Sequence, residues 1–83
     1  MYYVYILKLS NNDLYTGRTN DLKRRYNEHL NKKVKSTGKY CPLKLLHYEA
    51  FLDKEDSVRR ENYLKTSTGK RMLKLMLRKT LLI

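Results

Sequence analysis

Arg25 and His29 lie four positions apart in the basic segment LKRRYNEHL, which makes up most of the chain's first predicted helix. Residues with this spacing share one face of an α-helix, one turn apart. A guanidinium group can bind phosphate through two parallel N–H donors, and an imidazole titrates near neutral pH. A helix that only packs against a core needs neither side chain. The pair therefore indicates a site that handles phosphate.

Glu61 is an acidic residue in a predicted inward-facing position. Val58, Glu61 and Leu64 recur at intervals of three along a predicted helix, which puts the carboxylate in the row that packs inward. A carboxylate there loses its hydration, and this loss is costly unless a cation pairs with the carboxylate. Two interpretations remain open. One is a structural ion pair with Lys65 or with an arginine at the edge of the core, and the other is a metal site.

The chain contains eight tyrosines and one phenylalanine, although a core that needs only apolar bulk can use phenylalanine. Each buried hydroxyl needs a hydrogen-bond partner. Tyr3 and Tyr5 share one face of the first predicted strand, and a hairpin can bring Tyr15 beside them. We interpret most tyrosines as core or rim residues, with stacking of bases on exposed ones as the alternative.

His47, Cys41 and the glycines carry weaker signals. His47 lies within an apolar predicted strand and is interpreted as structural. Cys41 lies beside a proline with no histidine near it in the sequence, and a single cysteine excludes an intramolecular disulfide. The three glycines are scattered and form no phosphate-binding loop.

The charge is strongly basic, with 19 Lys and Arg against 8 Asp and Glu and a formal net charge of +11. A field of this sign attracts polyanions, and nucleic acid is the leading candidate, with a solvated basic surface as the alternative. The N-terminal segment lacks a basic region, and Lys8 interrupts its apolar run, so we expect neither a signal peptide nor a membrane span. We expect a reducing, cytoplasmic compartment.

The apolar and turn residues predict the element order β-β-α-β-α-α in one domain over residues 1–83. The predicted strands cover residues 2–9, 14–16 and 43–51, and the predicted helices cover residues 21–31, 54–65 and 69–78. The first strand is apolar on both faces, which indicates a central position. We therefore expect an α+β fold (an α/β sandwich) with a small antiparallel sheet flanked by about three helices.

Local signals predict the ends of these elements. Gly17 is predicted to end the second strand. Asn20 and Asp53 are predicted N-caps of the first and second helices, and Ser67 or Thr68 is the predicted N-cap of the third.

The first helix carries a predicted apolar stripe of Leu22, Tyr26 and Leu30, with Arg25 and His29 along its edge. Residues 32–42 are basic and turn-rich and are predicted to form a loop.

The types of these residues and their order along the sequence resemble the GIY-YIG nuclease domain over nearly the whole chain. The first tyrosine motif corresponds to Tyr3-Val4-Tyr5 and the second to Tyr15-Thr16-Gly17. The family's helical arginine and histidine correspond to Arg25 and His29, and its glutamate corresponds to Glu61. Val and Thr stand at two motif positions where the family has other residues, but the two tyrosines and the glycine are kept.

The chain is most similar to the short, single-domain members, which resemble the N-terminal nuclease module of the bacterial excision-repair endonuclease. The resemblance implies a three-stranded antiparallel sheet and a metal-dependent endonuclease that acts on nucleic acid, with DNA favoured. Because so small a domain has little surface for target choice, three alternatives stay open: it acts on branched or damaged structures, it cleaves loosely, or a protein partner supplies target specificity. A late polar residue of the family, often Asn, has no clear counterpart here.

The resemblance also implies roles for the motif residues. Glu61 would hold one divalent cation, Mg²⁺ or Mn²⁺, and Arg25 would contact the phosphate oxygens. Tyr5 is the favoured general base, on the expectation that nearby cations favour its phenolate. Tyr15 and His29 would orient the phosphate, the water or Tyr5. Activation of the water by the cation itself is the alternative.

Other basic residues are predicted to track the nucleic-acid backbone without reading its sequence. They are Lys32, Lys33, Lys35, Lys39, Lys70, Arg71 and Lys74. The loop after the first helix is expected to add a basic or hydroxyl group to the site, with Lys35, Ser36, Lys39 and Tyr40 as candidates. Two rival functions remain: a non-catalytic nucleic-acid-binding module of the same fold, and an interaction domain that docks an acidic partner.

Overall fold

Three strands and three helices follow one another along the chain, and a computed structural model describes all of residues 1–83. The strands are β1 (Tyr2–Lys8), β2 (Leu14–Thr19) and β3 (Lys44–Phe51). The helices are α1 (Leu22–Leu30), α2 (Lys54–Leu64) and α3 (Ser67–Met76), with short 3-10 turns at Gly38–Tyr40 and Thr80–Leu82. The predicted order and the α+β fold are confirmed.

The sheet is antiparallel with the spatial order β2-β1-β3, so β1 is central, as its two apolar faces predict. A small core covers each face. The core on the side of α2 and α3 consists of Val4, Ile6, Leu64, Leu73 and Leu77. The core on the side of α1 consists of Tyr5, Leu7, Leu9 and Leu43. Side chains of β1 therefore alternate between the helix α1 and the helix pair α2–α3.

The second strand is longer than predicted, because Gly17 does not end it. The ladder with β1 continues to Thr19, and Gly17 pairs with Tyr5 in the middle of this ladder. A Cβ atom at position 17 would collide with the ring of Tyr5. The glycine is therefore required by the close approach of the Tyr5 ring to the β2 backbone, not by a turn.

The helix α1 differs from the sequence prediction at its start and along its buried face. Asp21, not Asn20, is the N-cap, and its side chain accepts a hydrogen bond from the Arg24 backbone N–H at 3.1 Å. His29 is fully buried, whereas Leu30 is 45% exposed. The buried stripe therefore ends at His29, and the prediction that Leu30 completes it is wrong.

The helices α2 and α3 meet at a sharp break at Lys65–Thr66. Asp53 caps α2, as predicted, and accepts from the Glu55 N–H at 2.8 Å. The predictions of Ser67 or Thr68 as the N-cap of α3 are wrong, since Thr66 accepts from the Gly69 N–H at 3.0 Å. Gly69 lies inside α3, where a Cβ would collide with the carbonyl of Tyr63. The glycine thus allows the two helices to approach closely.

No helix in the structure has both the length and the apolar character that a membrane span requires.

Candidate active site

The side chain of Tyr5 crosses from β1 over the backbone of Gly17 in β2. Because position 17 has no Cβ, the phenol ring can lie against this backbone and carry its hydroxyl toward α1. The residue is only 1% exposed. A hydroxyl buried to this extent must have a hydrogen-bond partner inside the protein.

That partner is His29, and a second hydrogen bond extends the chain of polar groups. The Tyr5 hydroxyl lies 2.8 Å from Nε2 of His29, and Nδ1 of His29 lies 2.7 Å from Oγ1 of Thr37. His29 and Thr37 are both completely buried. Tyr5, His29 and Thr37 therefore form a buried hydrogen-bonded chain, which we call the Tyr–His–Thr chain.

The buried environment favours the uncharged forms of Tyr5 and His29. Burial lowers the pKa of His29, and the charge of Arg25 lowers it further. Burial also raises the pKa of Tyr5; the Arg25 guanidinium opposes this shift but does not outweigh it. Tyr5 is therefore a phenol at neutral pH in the free protein, and the expected phenolate is not favoured by Arg25 alone.

A neutral imidazole carries one N–H and one acceptor nitrogen. When the Tyr5 hydroxyl donates to Nε2 of His29, Nδ1–H donates to the hydroxyl of Thr37. In this arrangement Nε2 can receive the proton of Tyr5. The hydrogen bond to Thr37 holds the ring in the required orientation.

Tyr15 and Tyr3, the other motif tyrosines, occupy different places. The ring centroid of Tyr15 lies 6.4 Å from that of Tyr5 and 5.4 Å from that of His29. Tyr15 is partly exposed, so it forms the solvent side of this cluster. Tyr3 shares the sheet face but packs edge-to-face with Tyr48 at 6.2 Å, away from the cluster.

Arg25 is held on α1 by Glu28, whose Oε1 accepts from Nη1 at 3.0 Å. This hydrogen bond raises the pKa of Arg25, so the guanidinium is charged. The side chain is 36% exposed, and its other N–H donors are available to an anion. Arg25 is thus a fixed positive charge beside the Tyr5 hydroxyl.

Glu61 makes two ion pairs. Its Oε2 lies 3.2 Å from Nζ of Lys65, which is one of the structural pairs that the sequence left open. Its Oε1 lies 3.5 Å from Nε of Arg18, so the second partner is an arginine of β2. The charge of Glu61 also contributes to the raised pKa of Tyr5, which means that the carboxylate lies within electrostatic reach of the phenol.

The donor set around Glu61 limits the kind of metal that it can hold. No group of three or more His, Cys, Asp or Glu side chains in the structure could enclose a metal ion. A single carboxylate that is 17% exposed suits a hard cation that keeps several waters and also binds substrate phosphate oxygens. The residues present therefore fit Mg²⁺ or Mn²⁺ bound mainly by water and substrate.

Two residues of the site were missed by sequence reasoning. Thr37, not one of the four loop candidates next to it, supplies the hydroxyl, because the loop fold buries Thr37 and leaves Lys35 and Ser36 exposed. Arg18 follows the second motif directly and pairs with Val4 in the ladder, so it faces α2. Side chains alternate between the two faces of a strand, so a strand that continues past Gly17 puts Arg18 on the α2 side. This alternation is the sequence signal that could have identified Arg18.

The predicted phosphate-tracking residues are all exposed and fall into two separate groups. One group follows α1 and consists of Lys32, Lys33, Lys35 and Lys39, and the other lies on α3 and consists of Lys70, Arg71 and Lys74. A groove of about 340 Å³ contains Arg25 itself, and we call it the basic groove. Its cationic side chains are Arg18, Arg24, Arg25 and Lys54. Three of these four were not among the predicted site residues.

His47 and Cys41 take structural positions. Nε2 of His47 lies 3.0 Å from Glu49, which also receives two hydrogen bonds from Arg60 at 2.8 and 3.0 Å. Sγ of Cys41 lies 3.6 Å from the carbonyl oxygen of His29. Neither residue belongs to the Tyr–His–Thr chain.

The sequence model of the GIY-YIG catalytic domain matches residues 1–74. The chain belongs to the GIY-YIG family, and the resemblance predicted from the motifs is confirmed. Within this family it is similar to UPF0213 proteins. One from Streptococcus agalactiae is 45% identical over 67 residues, which are 80% of this chain and 76% of that protein. One from Clostridium perfringens is 40% identical over 82 residues, which are 98% of this chain and 88% of that protein.

A solved structure supports the same assignment. The solution NMR structure of the UPF0213 protein BH0048 from Bacillus halodurans matches with a TM-score of 0.59 and 35% sequence identity. The match covers 92% of this chain and 85% of that one. The fold predicted from the sequence is therefore also that of a solved relative.

Proposed function

We propose that this protein is a metal-dependent endonuclease that hydrolyses phosphodiester bonds in nucleic acid, with DNA favoured. The observation that carries the proposal is the Tyr–His–Thr chain beside the charged Arg25. A core needs no fully buried histidine, and burying three polar groups is costly unless they are paired. A catalytic role explains why the Tyr–His–Thr chain is present at a position where apolar side chains would pack equally well.

In this proposal Tyr5 is the general base and His29 receives its proton. A water proton passes to the Tyr5 oxygen while the Tyr5 proton passes to Nε2 of His29. The water oxygen forms a bond to phosphorus, the bond from phosphorus to the leaving oxygen breaks, and solvent protonates that oxygen. The imidazolium then returns its proton to solvent through Tyr5. Because burial lowers the pKa of His29, its imidazolium is the stronger acid and gives the proton up readily.

The remaining residues stabilise charge and position the substrate. Arg25 donates to the phosphate oxygens, on which negative charge develops. Tyr15 lies over His29 on the solvent side and orients the phosphate. A divalent cation held by Glu61 would supply further positive charge at the phosphate. Arg18 and Lys65 keep the carboxylate in place before the cation binds.

Substitution of Glu61 tests this proposal. We expect the wild-type protein to cleave at least one member of a panel of single-stranded, duplex, flap and branched substrates in Mg²⁺ or Mn²⁺. Glu61→Gln should lower the rate by about 100-fold or more, as for loss of a group that stabilises transition-state charge. Glu55→Gln removes an exposed carboxylate from the same helix and should leave the rate unchanged.

The rival function, a non-catalytic nucleic-acid-binding module, gives a different result. It predicts salt-sensitive binding of the same substrates without cleavage of any of them. Cleavage that is equally fast in Glu61→Gln would contradict the metal role of Glu61.

A further inference from the structure

A groove of about 440 Å³ lies beside the first two turns of α1, on the Tyr5 side of the sheet. Three tyrosines from three different elements line it, together with two leucines and a lysine: Tyr3, Tyr26, Tyr48, Leu22, Leu45 and Lys23. The amide of Asn20 and the carboxylate of Asp21 complete the lining. We call it the tyrosine groove. The chemistry proposed above uses none of these residues.

The aromatic walls are fixed in position. Tyr3 and Tyr48 pack edge-to-face with an interplanar angle of 64°. The hydroxyl of Tyr26 accepts a hydrogen bond from the Leu45 backbone N–H at 3.4 Å, which ties α1 to β3. Tyr48 nevertheless remains 54% exposed. A large exposed ring in a rigid groove is available for contact with a flat apolar partner.

The tyrosine groove and the basic groove are adjacent. Asn20 lines both of them. The helix α1 contributes Lys23 to the tyrosine groove, and the next two residues, Arg24 and Arg25, to the basic groove. A ligand that spans both grooves must combine a flat apolar group with negative charges a short distance away. A nucleotide strand has this combination, with a base that stacks on aromatic rings and phosphates that bind cations.

We propose that the tyrosine groove binds an unpaired nucleobase of a strand whose phosphates lie in the basic groove. The inference rests on the proposed function for the position of the cleaved phosphate at Arg25. It specifies the substrate class as nucleic acid with a single-stranded segment beside the cleaved bond. A base inside an intact duplex is paired and stacked, so it cannot enter the groove without leaving the helix.

Binding can be measured without cleavage, in Glu61→Gln protein and without divalent cations. The probe is a single-stranded DNA oligonucleotide that contains one 2-aminopurine, and its duplex is the comparison. We expect Tyr48→Ala to weaken single-strand binding by roughly tenfold, the effect of losing one base–aromatic stack. Duplex binding should be unchanged. Tyr48→Phe is the matched control, because it keeps the ring and should keep the affinity.

The 2-aminopurine fluorescence reports stacking directly. Quenching on binding is expected with Glu61→Gln and with the added Tyr48→Phe change, but not with Tyr48→Ala. Equal losses for single strand and duplex, or no loss at all, would overturn the inference. A dimer that Tyr48→Ala converts to monomer, with single-strand affinity intact, would also overturn it, because a second copy would then occupy the groove.

The two proposals can fail separately. If wild-type protein cleaves no substrate but Tyr48→Ala loses single-strand binding, the nuclease proposal fails and the tyrosine groove stands. If cleavage occurs and Tyr48→Ala binds single strands as tightly as Tyr48→Phe, the inference fails and the nuclease proposal stands.

Discussion

Each member of the Tyr–His–Thr chain satisfies the polar group of its neighbour, and this pairing allows three polar side chains to be buried on the α1 side of the sheet. The spacing of Arg25 and His29 predicted a phosphate site on one helix face, and the structure has both residues near Tyr5. The spacing could not predict that His29 would be buried while Arg25 stays partly exposed. That difference depends on Thr37, eight residues later, which contacts His29 only because the intervening loop folds back.

Burial of His29 predicts how stability depends on pH. The pKa of His29 in the folded protein lies below the value of about 6.5 expected in the unfolded chain. As the pH falls below about 6.5, the unfolded state binds a proton that the folded state does not, so the free energy of unfolding decreases. The slope for one proton can reach about 1.4 kcal/mol per pH unit.

The free energy of unfolding, measured by urea unfolding at several pH values between about 7.5 and 5.5, gives this slope. We expect His29→Gln to remove most of this slope. A wild-type free energy of unfolding that stays constant over this range would mean that His29 titrates normally in the folded protein.

At the scale of the elements, β2 positions the site through Gly17 and Arg18, which are adjacent residues that face opposite sides of the sheet. Gly17 makes room for the ring of Tyr5, and Arg18 pairs with Glu61 of α2. The sequence pattern predicted every strand and helix, because their apolar periodicities are clear. It did not predict the end of β2, because a glycine that breaks a strand and one that admits a neighbouring ring look the same in the sequence.

The role of Gly17 can be tested with alanine. Gly17→Ala puts a Cβ against the buried ring of Tyr5, so the ring must shift and the hydrogen bond to His29 should break. We expect a loss of about 1–3 kcal/mol in the free energy of unfolding. We expect cleavage to fall by roughly 100-fold, as for displaced catalytic groups.

Gly38→Ala is the control, because its new Cβ would lie 3.4 Å from the nearest atom, the carbonyl oxygen of Lys32. Its stability and cleavage should be close to those of the wild type. Full activity in Gly17→Ala would show that the contact between β2 and the Tyr5 ring does not position the hydroxyl.

At the scale of the whole molecule, the net charge of +11 is distributed over several surfaces. The composition predicted a polyanionic partner, but it could not predict which cations lie beside the site. That depends on how β2, α1 and the start of α2 come together to form the basic groove. The lysines after α1 and the basic residues of α3 remain a proposed extension of the phosphate track.

Salt dependence of binding tests which cations contact phosphate. The logarithm of the affinity should fall linearly with the logarithm of the salt concentration. We expect Lys54→Gln to lower the steepness of this dependence by roughly 0.7 to 0.9, the effect of one lost phosphate contact. Lys79→Gln, which removes an exposed charge outside the basic groove, should leave the slope unchanged. An affinity that does not respond to salt would contradict the electrostatic account of binding.

Single-turnover cleavage by Tyr5→Phe tests whether the buried hydroxyl of Tyr5 takes part in hydrolysis. This change removes one oxygen and leaves the ring over Gly17. It leaves a nitrogen of His29 unpaired, at a cost of about 1–3 kcal/mol in stability, so folding should be checked at the assay temperature. We predict a rate about 100-fold or more below that of the wild type. Tyr63→Phe, the same change at a partly exposed tyrosine of α2 that lines neither groove, should keep the wild-type rate. A Tyr5→Phe protein that cleaves as fast as the wild type would show that the hydroxyl takes no part in hydrolysis.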